Sequence, residues 1–388
     1  MGQRDAVIVG VGDVPLQDGM VTGGQTPLEI QARAAKKALD SCGLRFADVD
    51  GLLTAGMWSV PGAGSLMPLT LGEYLGIRPT FIDGTQIGGS SFEAHVAHAA
   101  LAIQAGYCEV ALITYGSTQK SQRLRSLAGR SPELTLQYET PFGLPTPVGA
   151  YAMAAHRHMH EYGTTSAQLA EIAVATRAWA TLNPEATMRD PITVDDVLNS
   201  TMIAEPLHLF DCCLVTDGAG AIVMTSAERA RDLKKPPLHV RGFGEAMTHG
   251  TIASMPDLTM TGAQQSGAKA FAMAGVTPAE IDVTEIYDSF TVTVLLTLEA
   301  LGYCKPGEGG AFVEGQRTAP GGEFPLNTNG GGLSYAHPGM YGIFVLIEAA
   351  RQLWGECGER QVPDAKLALA HGTGGVLSST VTCILSRE

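Results

Sequence analysis

Two hydrophobic periods alternate along this chain. Ala6–Gly10 and Ala219–Thr225 are short runs of small and β-branched apolar residues, the pattern of strands buried on both faces. Longer stretches with helical spacing lie between such runs, and the order of elements occurs twice. An Ala-rich helix leads into Ser41–Gly56 (SCGLRFADVDGLLTAG), and another leads into Met273–Phe290 (MAGVTPAEIDVTEIYDSF). Each reads as a helix closed by a glycine, a second short turn, and a strand that follows Asp50 or Asp282. In that register Ala55 stands opposite Tyr287. A second pair comprises Ile87–Gly116 and Ala336–Gly375, each a Gly-rich turn, a helix, and a buried strand ending in a Gly-containing loop. Aligning Gly106 with Gly355 sets Gly88 and Gly89 opposite His337 and Pro338.

The duplication predicts an α/β protein of two halves, 1–235 and 236–388, joined near Lys234-Lys235-Pro236-Pro237. The stretch from about 117 to 200 has no counterpart in the second half and reads as an inserted subdomain. It holds PFGLPTPVG, a helix around Tyr151–Tyr162 and another near Ala167–Ala180. A pseudo-twofold places the helices Ser90–Ala105 and Tyr341–Trp354 back to back, with their N-termini converging on one pocket. Unpaired N–H groups and positive dipole ends there suit an anionic intermediate.

Composition narrows the function. Of 388 residues, 45% are apolar and only 16% charged, so most of the chain is packed rather than solvated. A net charge of −14 argues against nucleic acid and anionic membrane surfaces as partners. No apolar run approaches the ~18–20 residues that span a bilayer, and no signal peptide is evident at the start. Seven cysteines, without CxxC spacing, read as reduced thiols of a cytoplasmic protein.

Several side chains invite a chemical reading and also have a plain one. Tyr287, at the end of an apolar strand, is ordinarily a core residue with a satisfied hydroxyl. His337 follows three glycines closely and precedes Pro338 at a helix start, which points to more than packing. Ser90 and Ser91 first serve as helix caps, and Cys212 and Cys213 enter a buried strand as structural thiols. His95 with His98, and His156, His158 and His160, are spaced like metal ligands, but no Cys or carboxylate cluster completes a site; no metal is expected. Lys120, Arg123, Arg125 and Arg130 form the densest basic cluster of an acidic chain.

The duplicated halves, the run Asp211–Val223 (DCCLVTDGAGAIV), the run Asn327–Gly339 (NTNGGGLSYAHPG) and the C-terminal HGTGG loop together resemble the thiolase superfamily. The resemblance covers essentially the whole chain and is closest to the sterol-carrier-protein thiolase and lipid-transfer-protein branch, including steroid side-chain aldolases. It implies a duplicated, five-layer αβαβα thiolase fold with an inserted loop subdomain, a homodimer, and activity on coenzyme A thioesters. A thiolase carries a nucleophilic Cys at the first helix N-terminus; here the matching run is Gly88-Gly89-Ser90-Ser91. The branch motif His-Asp-Cys-Phe reads Tyr287-Asp288-Ser289-Phe290, while Gly-His-Pro survives as Ala336-His337-Pro338.

This pattern resembles the aldolase relatives, and implies retro-aldol cleavage of a β-hydroxyacyl-CoA through an enolate. The catalytic residues implied are Tyr287, moving the proton, and His337, holding the enolate as oxyanion donor. The surrounding loops would contribute Gly89, Ser90, Ser289, His371, Thr373 and Gly374, with backbone N–H groups as further donors. Arg123 and Arg125 would meet coenzyme A phosphates, no cofactor would be bound beyond coenzyme A as part of the substrate, and a small OB-fold/zinc-ribbon subunit would be a partner. Two other readings stay open: acyltransferase or Claisen chemistry with a partner thiol, and a non-catalytic acyl-CoA or lipid-binding scaffold.

Overall fold

The structure is a computed structural model that describes residues 5–23, 26–56, 66–122, 133–145 and 147–388. In chain order its elements are β1 (Ala6–Asp13), α1 (Pro27–Cys42), β2 (Gly51–Leu53), α2 (Met67–Leu75), β3 (Phe81–Asp83), α3 (Ser91–Gln104) and β4 (Val110–Ser117). There follow α4 (Glu133–Tyr138), α5 (Val148–Tyr162), α6 (Ser166–Thr181), α7 (Val194–Leu198), β5 (Met202–Ala204), β6 (Leu207–His208), β7 (Gly218–Ser226) and α8 (Ala227–Ala230). The second round is β8 (Leu238–Met247), α9 (Ala263–Ala274), β9 (Val283–Ile286), α10 (Thr291–Ala300), α11 (Gly309–Val313), α12 (Gly342–Trp354), β10 (Leu367–Gly374) and β11 (Ser379–Ser386). Among the described residues, no helix is long and apolar enough to cross a membrane.

The repeat extends to individual hydrogen bonds. α1 and α9 both end on a left-handed glycine, Gly43 and Gly275, and each passes through a 3-10 turn into a parallel strand. At the mouth of each strand an aspartate gathers two neighbouring amides. Asp50 accepts from Glu109 and Val110 N–H, and Asp282 accepts from Lys366 and Leu367 N–H, at 2.8–3.0 Å. The two helices expected to lie back to back do so: α3 and α12 pack in one core cluster; α3 is a residue shorter at each end than the sequence pattern, following a 3-10 turn, and α12 starts one residue later.

Strand order is β3-β2-β4-β7-β1-β8-β11-β10-β9, and the crossing from β1 to β8 rests on two register pairs, Val7–His239 and Ile8–Leu238. Each strand sends alternate residues to opposite faces, and the cores separate accordingly. Val110, Leu112 and Val223 join α1 in an outer core. Ala111, Ile113 and Ile222 of the first half, and Ala368, Ala370 and Cys383 of the second, meet α3 and α12 in the central one. Leu369 and Ile384 face α9 and α10 in the second outer core, which the inserted helix α5 also joins. Helix, sheet, helix pair, sheet, helix is the five-layer thiolase arrangement.

A buried Asp–Arg ion pair ties the two halves together. Asp13, buried at the end of β1, receives Arg351 of α12 through both guanidinium nitrogens at 2.6 and 2.9 Å, the Tyr335 hydroxyl at 3.0 Å and Lys37 at 3.2 Å. Burial alone would raise its pKa, but the charge and hydrogen bonds of Arg351, with Lys37, hold it at about 2. Because the folded value lies below the ordinary 3.8, this contribution is present above about pH 4 and is lost as pH falls through about 2. Arg351→Ala leaves a buried carboxylate without its main partner and should cost about 3–5 kcal/mol in urea unfolding at pH 7. The deficit relative to wild type should shrink below pH 4.

Candidate active site

The site forms where β9 ends. Tyr287 continues the parallel ladder by donating its N–H to the His371 carbonyl at 2.9 Å, and its ring turns toward the central helices. The next residue, Asp288, is buried, and its carboxylate accepts the N–H groups of Gly332 at 2.5 Å and Leu333 at 3.2 Å. Gly331–Tyr335 winds as a single π-helical turn there. Gly331 has φ +60°, and a Cβ on it would overlap the Asp288 carboxylate, so this position requires glycine. Asn327 and Asn329 complete the latch: the first takes Ile286 N–H at 2.7 Å, the second takes Gly331 N–H and the Tyr341 hydroxyl, both at 2.8 Å.

The chain leaves that turn extended at Ala336 and arrives at His337. Thr216 grips the histidine backbone on both sides, its Oγ1 accepting His337 N–H at 2.9 Å and its N–H donating to the His337 carbonyl at 3.2 Å. Its neighbours Cys213 and Leu214 donate to the Ser289 and Gly332 carbonyls at 3.0 and 2.9 Å. The three runs that carry the resemblance are thus stitched together.

The product is a buried pair: Tyr287 Oη and His337 Nε2 are 2.7 Å apart, with ring planes at 62°. Tyr341 stacks on the imidazole and meets the Tyr287 ring edge-on. Burial lowers the His337 pKa to about 4, so the imidazole is neutral at neutral pH, and burial raises the Tyr287 phenol well above its usual range. Among the described residues His337 Nδ1 has no hydrogen-bond partner.

The start of α3 closes the other side. A Cβ on Gly89 would run into the Tyr287 ring and stand 2.5 Å from the Thr373 carbonyl, and Gly342 at the start of α12 abuts the Gly89 carbonyl. Ser90 Oγ is spent on Ser379 Oγ at 2.8 Å and Ser91 Oγ on the Gly88 carbonyl at 2.6 Å. Glu93, in the first turn of α3, is buried, its carboxyl has no hydrogen-bond partner among the described residues, and burial raises its pKa to about 8. It is uncharged at neutral pH, so it does not oppose an anion at the helix start.

The other expected residues separate. Ser289 lies at the start of α10, its Oγ on Thr293 Oγ1 at 2.9 Å. His371 turns its ring away from the pair: Ala370 and Gly372 face α3, so His371 faces α9, where Nδ1 meets Thr382 Oγ1 at 2.9 Å. Burial lowers its pKa to about 3, and only its carbonyl reaches Tyr287. At Gly89 the HGTGG loop presents the Thr373 carbonyl rather than an N–H, and Gly374 packs its backbone against Gly88. Arg123 and Arg125 lie outside the described residues; Lys120, of the same cluster, donates to the Asp18 carbonyl.

All seven cysteines are free thiols, and burial raises those of Cys212 and Cys213 beside the site. Among the described residues no three His, Cys, Asp or Glu side chains gather as metal ligands. His95 instead meets the Thr85 carbonyl, and His98 bridges Asp83 and Glu245. Sequence reasoning assigned no task to Asp288, Thr216 or Tyr341. Their local spacing carries no signal, because each acts on residues distant in the chain.

Comparison with known proteins agrees with this architecture. Residues 6–228 match the family model described as thiolase, N-terminal domain, and residues 244–387 match that described as thiolase C-terminal domain-like. The chain is 35% identical to a 17-hydroxy-3-oxo-4-pregnene-20-carboxyl-CoA lyase of Mycobacterium tuberculosis, over 90% of this chain and 92% of the relative. It is 33% identical to an acetyl-CoA acetyltransferase of Methanothermobacter thermautotrophicus, over 99% and 100%. The solved Ltp2-ChsH2(DUF35) aldolase superposes with a TM-score of 0.87 at 32% identity, covering 98% of this chain and 97% of that one.

Gly89→Ala tests the closeness of α3 to the pair. The added methyl must displace the Tyr287 ring, and a displacement near 1 Å should lower turnover by about 10²-fold. Far-UV circular dichroism should stay unchanged. Retention of full turnover would show that the ring position is not critical.

Proposed function

Because the chain belongs to the thiolase family yet offers no thiol at the start of α3, we propose that it is an acyl-CoA lyase that cleaves a β-hydroxyacyl-CoA by retro-aldol chemistry. The single observation that carries this reading is the 2.7 Å contact between Tyr287 Oη and a neutral His337 Nε2 in a buried site. The β-hydroxyl proton passes to the Tyr287 oxygen as the Tyr287 proton moves to His337 Nε2. The Cα–Cβ bond then breaks, the β-carbon leaves as an aldehyde or ketone, and the electron pair moves onto the thioester as an enolate. The proton returns along the same path to Cα, so no covalent acyl-enzyme is needed. His337 thereby serves as proton acceptor, in place of the oxyanion role that the family motif implies. Named lyase and aldolase relatives support this reading.

Coenzyme A would enter as part of the substrate, with Arg123 and Arg125 toward its phosphates. The protein would be cytoplasmic and would work as a homodimer through the edge strand β3, beside which Ile82, Leu101 and Tyr107 are exposed. A small OB-fold/zinc-ribbon subunit would join it. The acetyltransferase relative favours a second reading, Claisen-type acyl transfer, which would need a thiol from such a partner.

Turnover of β-hydroxyacyl-CoAs to carbonyl products, measured with and without the partner, decides between the two. Tyr287→Phe should lower that turnover by about 10²–10⁴-fold, and thiol alkylation should leave it largely intact. Substrate-protected inactivation tracking a single Cys would instead support acyl transfer. Light scattering at micromolar concentration should give a dimer mass; a monomer would remove the β3 interface.

A further inference from the structure

Retro-aldol cleavage needs a second function, a donor for the enolate oxygen, and the pair that moves the proton cannot also supply it. His337 Nε2, the nitrogen that takes part in the proton transfer, is engaged by Tyr287. The surrounding tyrosines differ in what their hydroxyls already do. Tyr115 donates to the Pro338 carbonyl at 2.5 Å, Tyr341 to Asn329 Oδ1 at 2.8 Å, and Tyr335 to Asp13 Oδ2 at 3.0 Å. Each of these donors is committed to holding the fold.

Tyr151 differs. It sits on α5, in the stretch between β4 and β7, and is 3% exposed. Its ring lies on Phe290 of the Tyr287-Asp288-Ser289-Phe290 motif, centroids 4.3 Å apart. Its hydroxyl faces Ser289 and the backbone of Leu377, and it reaches the HGTGG loop at Gly375, whose backbone packs against Gly88 before the start of α3. Its one backbone acceptor, the Gly375 carbonyl of the HGTGG loop, is 3.4 Å away, too long for a strong O–H···O bond, whose usual distance is about 2.7–2.8 Å. A buried donor held this loosely can turn to a better acceptor at little cost.

Resting on the retro-aldol reading above, we propose that Tyr151 is a further catalytic residue, whose hydroxyl donates to the thioester oxygen as it becomes the enolate, across the site from Tyr287 and His337. The Tyr151 O–H bond stays intact; the hydroxyl exchanges its long contact with Gly375 for a short, charge-assisted one that strengthens as the Cα–Cβ bond breaks.

Two assays on the same protein separate this inference from the reading beneath it. One is cleavage of a panel of β-hydroxyacyl-CoAs. The other is exchange of the α-hydrogens of propionyl-CoA in D2O, read by mass spectrometry, which requires an enolate but no β-hydroxyl. Tyr151→Phe keeps the ring on Phe290, so melting temperature and KM should hold. Its kcat for cleavage should fall about 10²–10³-fold, the loss typical of one oxyanion donor, and exchange should fall with it. Wild-type rates in both assays for Tyr151→Phe would overturn the assignment and leave the lyase intact. Exchange that falls in Tyr151→Phe, in a wild-type protein that cleaves no member of the panel, would uphold the enolate donor and overturn retro-aldol cleavage. A wild-type protein silent in both assays would overturn both.

Discussion

The Asp288 carboxylate holds the site together. It takes two backbone N–H groups from a turn more than forty residues later, and so fastens the NTNGGG run to the end of β9. Tyr287 leaves on one side of that latch and His337 on the other, and their meeting at 2.7 Å follows from it. Burial raises the Asp288 pKa to about 7 against the pull of the amides it accepts, which measures how dry the latch is. Asn327, Asn329 and Thr216 add further backbone ties. None of these residues touches the pair's shared proton, yet a pair built to pass one needs its geometry set in advance.

The same dryness sets the charge state of everything nearby. His337 is neutral, Glu93 is protonated, and the thiols of Cys212 and Cys213 hold their protons. Charge therefore develops in the site only as the substrate reacts. The positive dipole ends of α3 and α12 approach one another beside the pair, at Gly89 and Gly342. An ionised Glu93 in the first turn of α3 would oppose an enolate. Keeping that carboxyl unpartnered and buried disfavours its charge at neutral pH.

Glycine sets how close the layers come. At Gly89 the absence of a side chain admits the Tyr287 ring into the space beside a helix start, and at Gly331 it admits the Asp288 carboxylate. In a thiolase a cysteine works at that helix start; here the same corner of the fold is filled by an aromatic ring from the other half of the chain.

The duplication, the layer order and the two convergent helices were legible in the chain itself, because period-two and helical spacing report which faces are buried and Gly43, Gly275 and the paired Asp50 and Asp282 mark the same turns twice. His337 stands out for a local reason, following a glycine run, whereas Tyr287 at a strand end reads locally as core and is singled out only by the resemblance. Local pattern could not say which way a side chain points once the chain leaves a regular element. His371 was expected at the site, but it follows a residue that faces α3, so strand alternation sends its ring to α9. Tyr151 carries no local signal, since a tyrosine in an amphipathic helix is ordinarily core, and only the packing of α5 sets its ring against Phe290 of the Tyr287-Asp288-Ser289-Phe290 motif. Periodicity is a property of neighbours in sequence and sets the layers; the site is assembled from residues far apart in sequence, and their orientations were decided only when those layers packed.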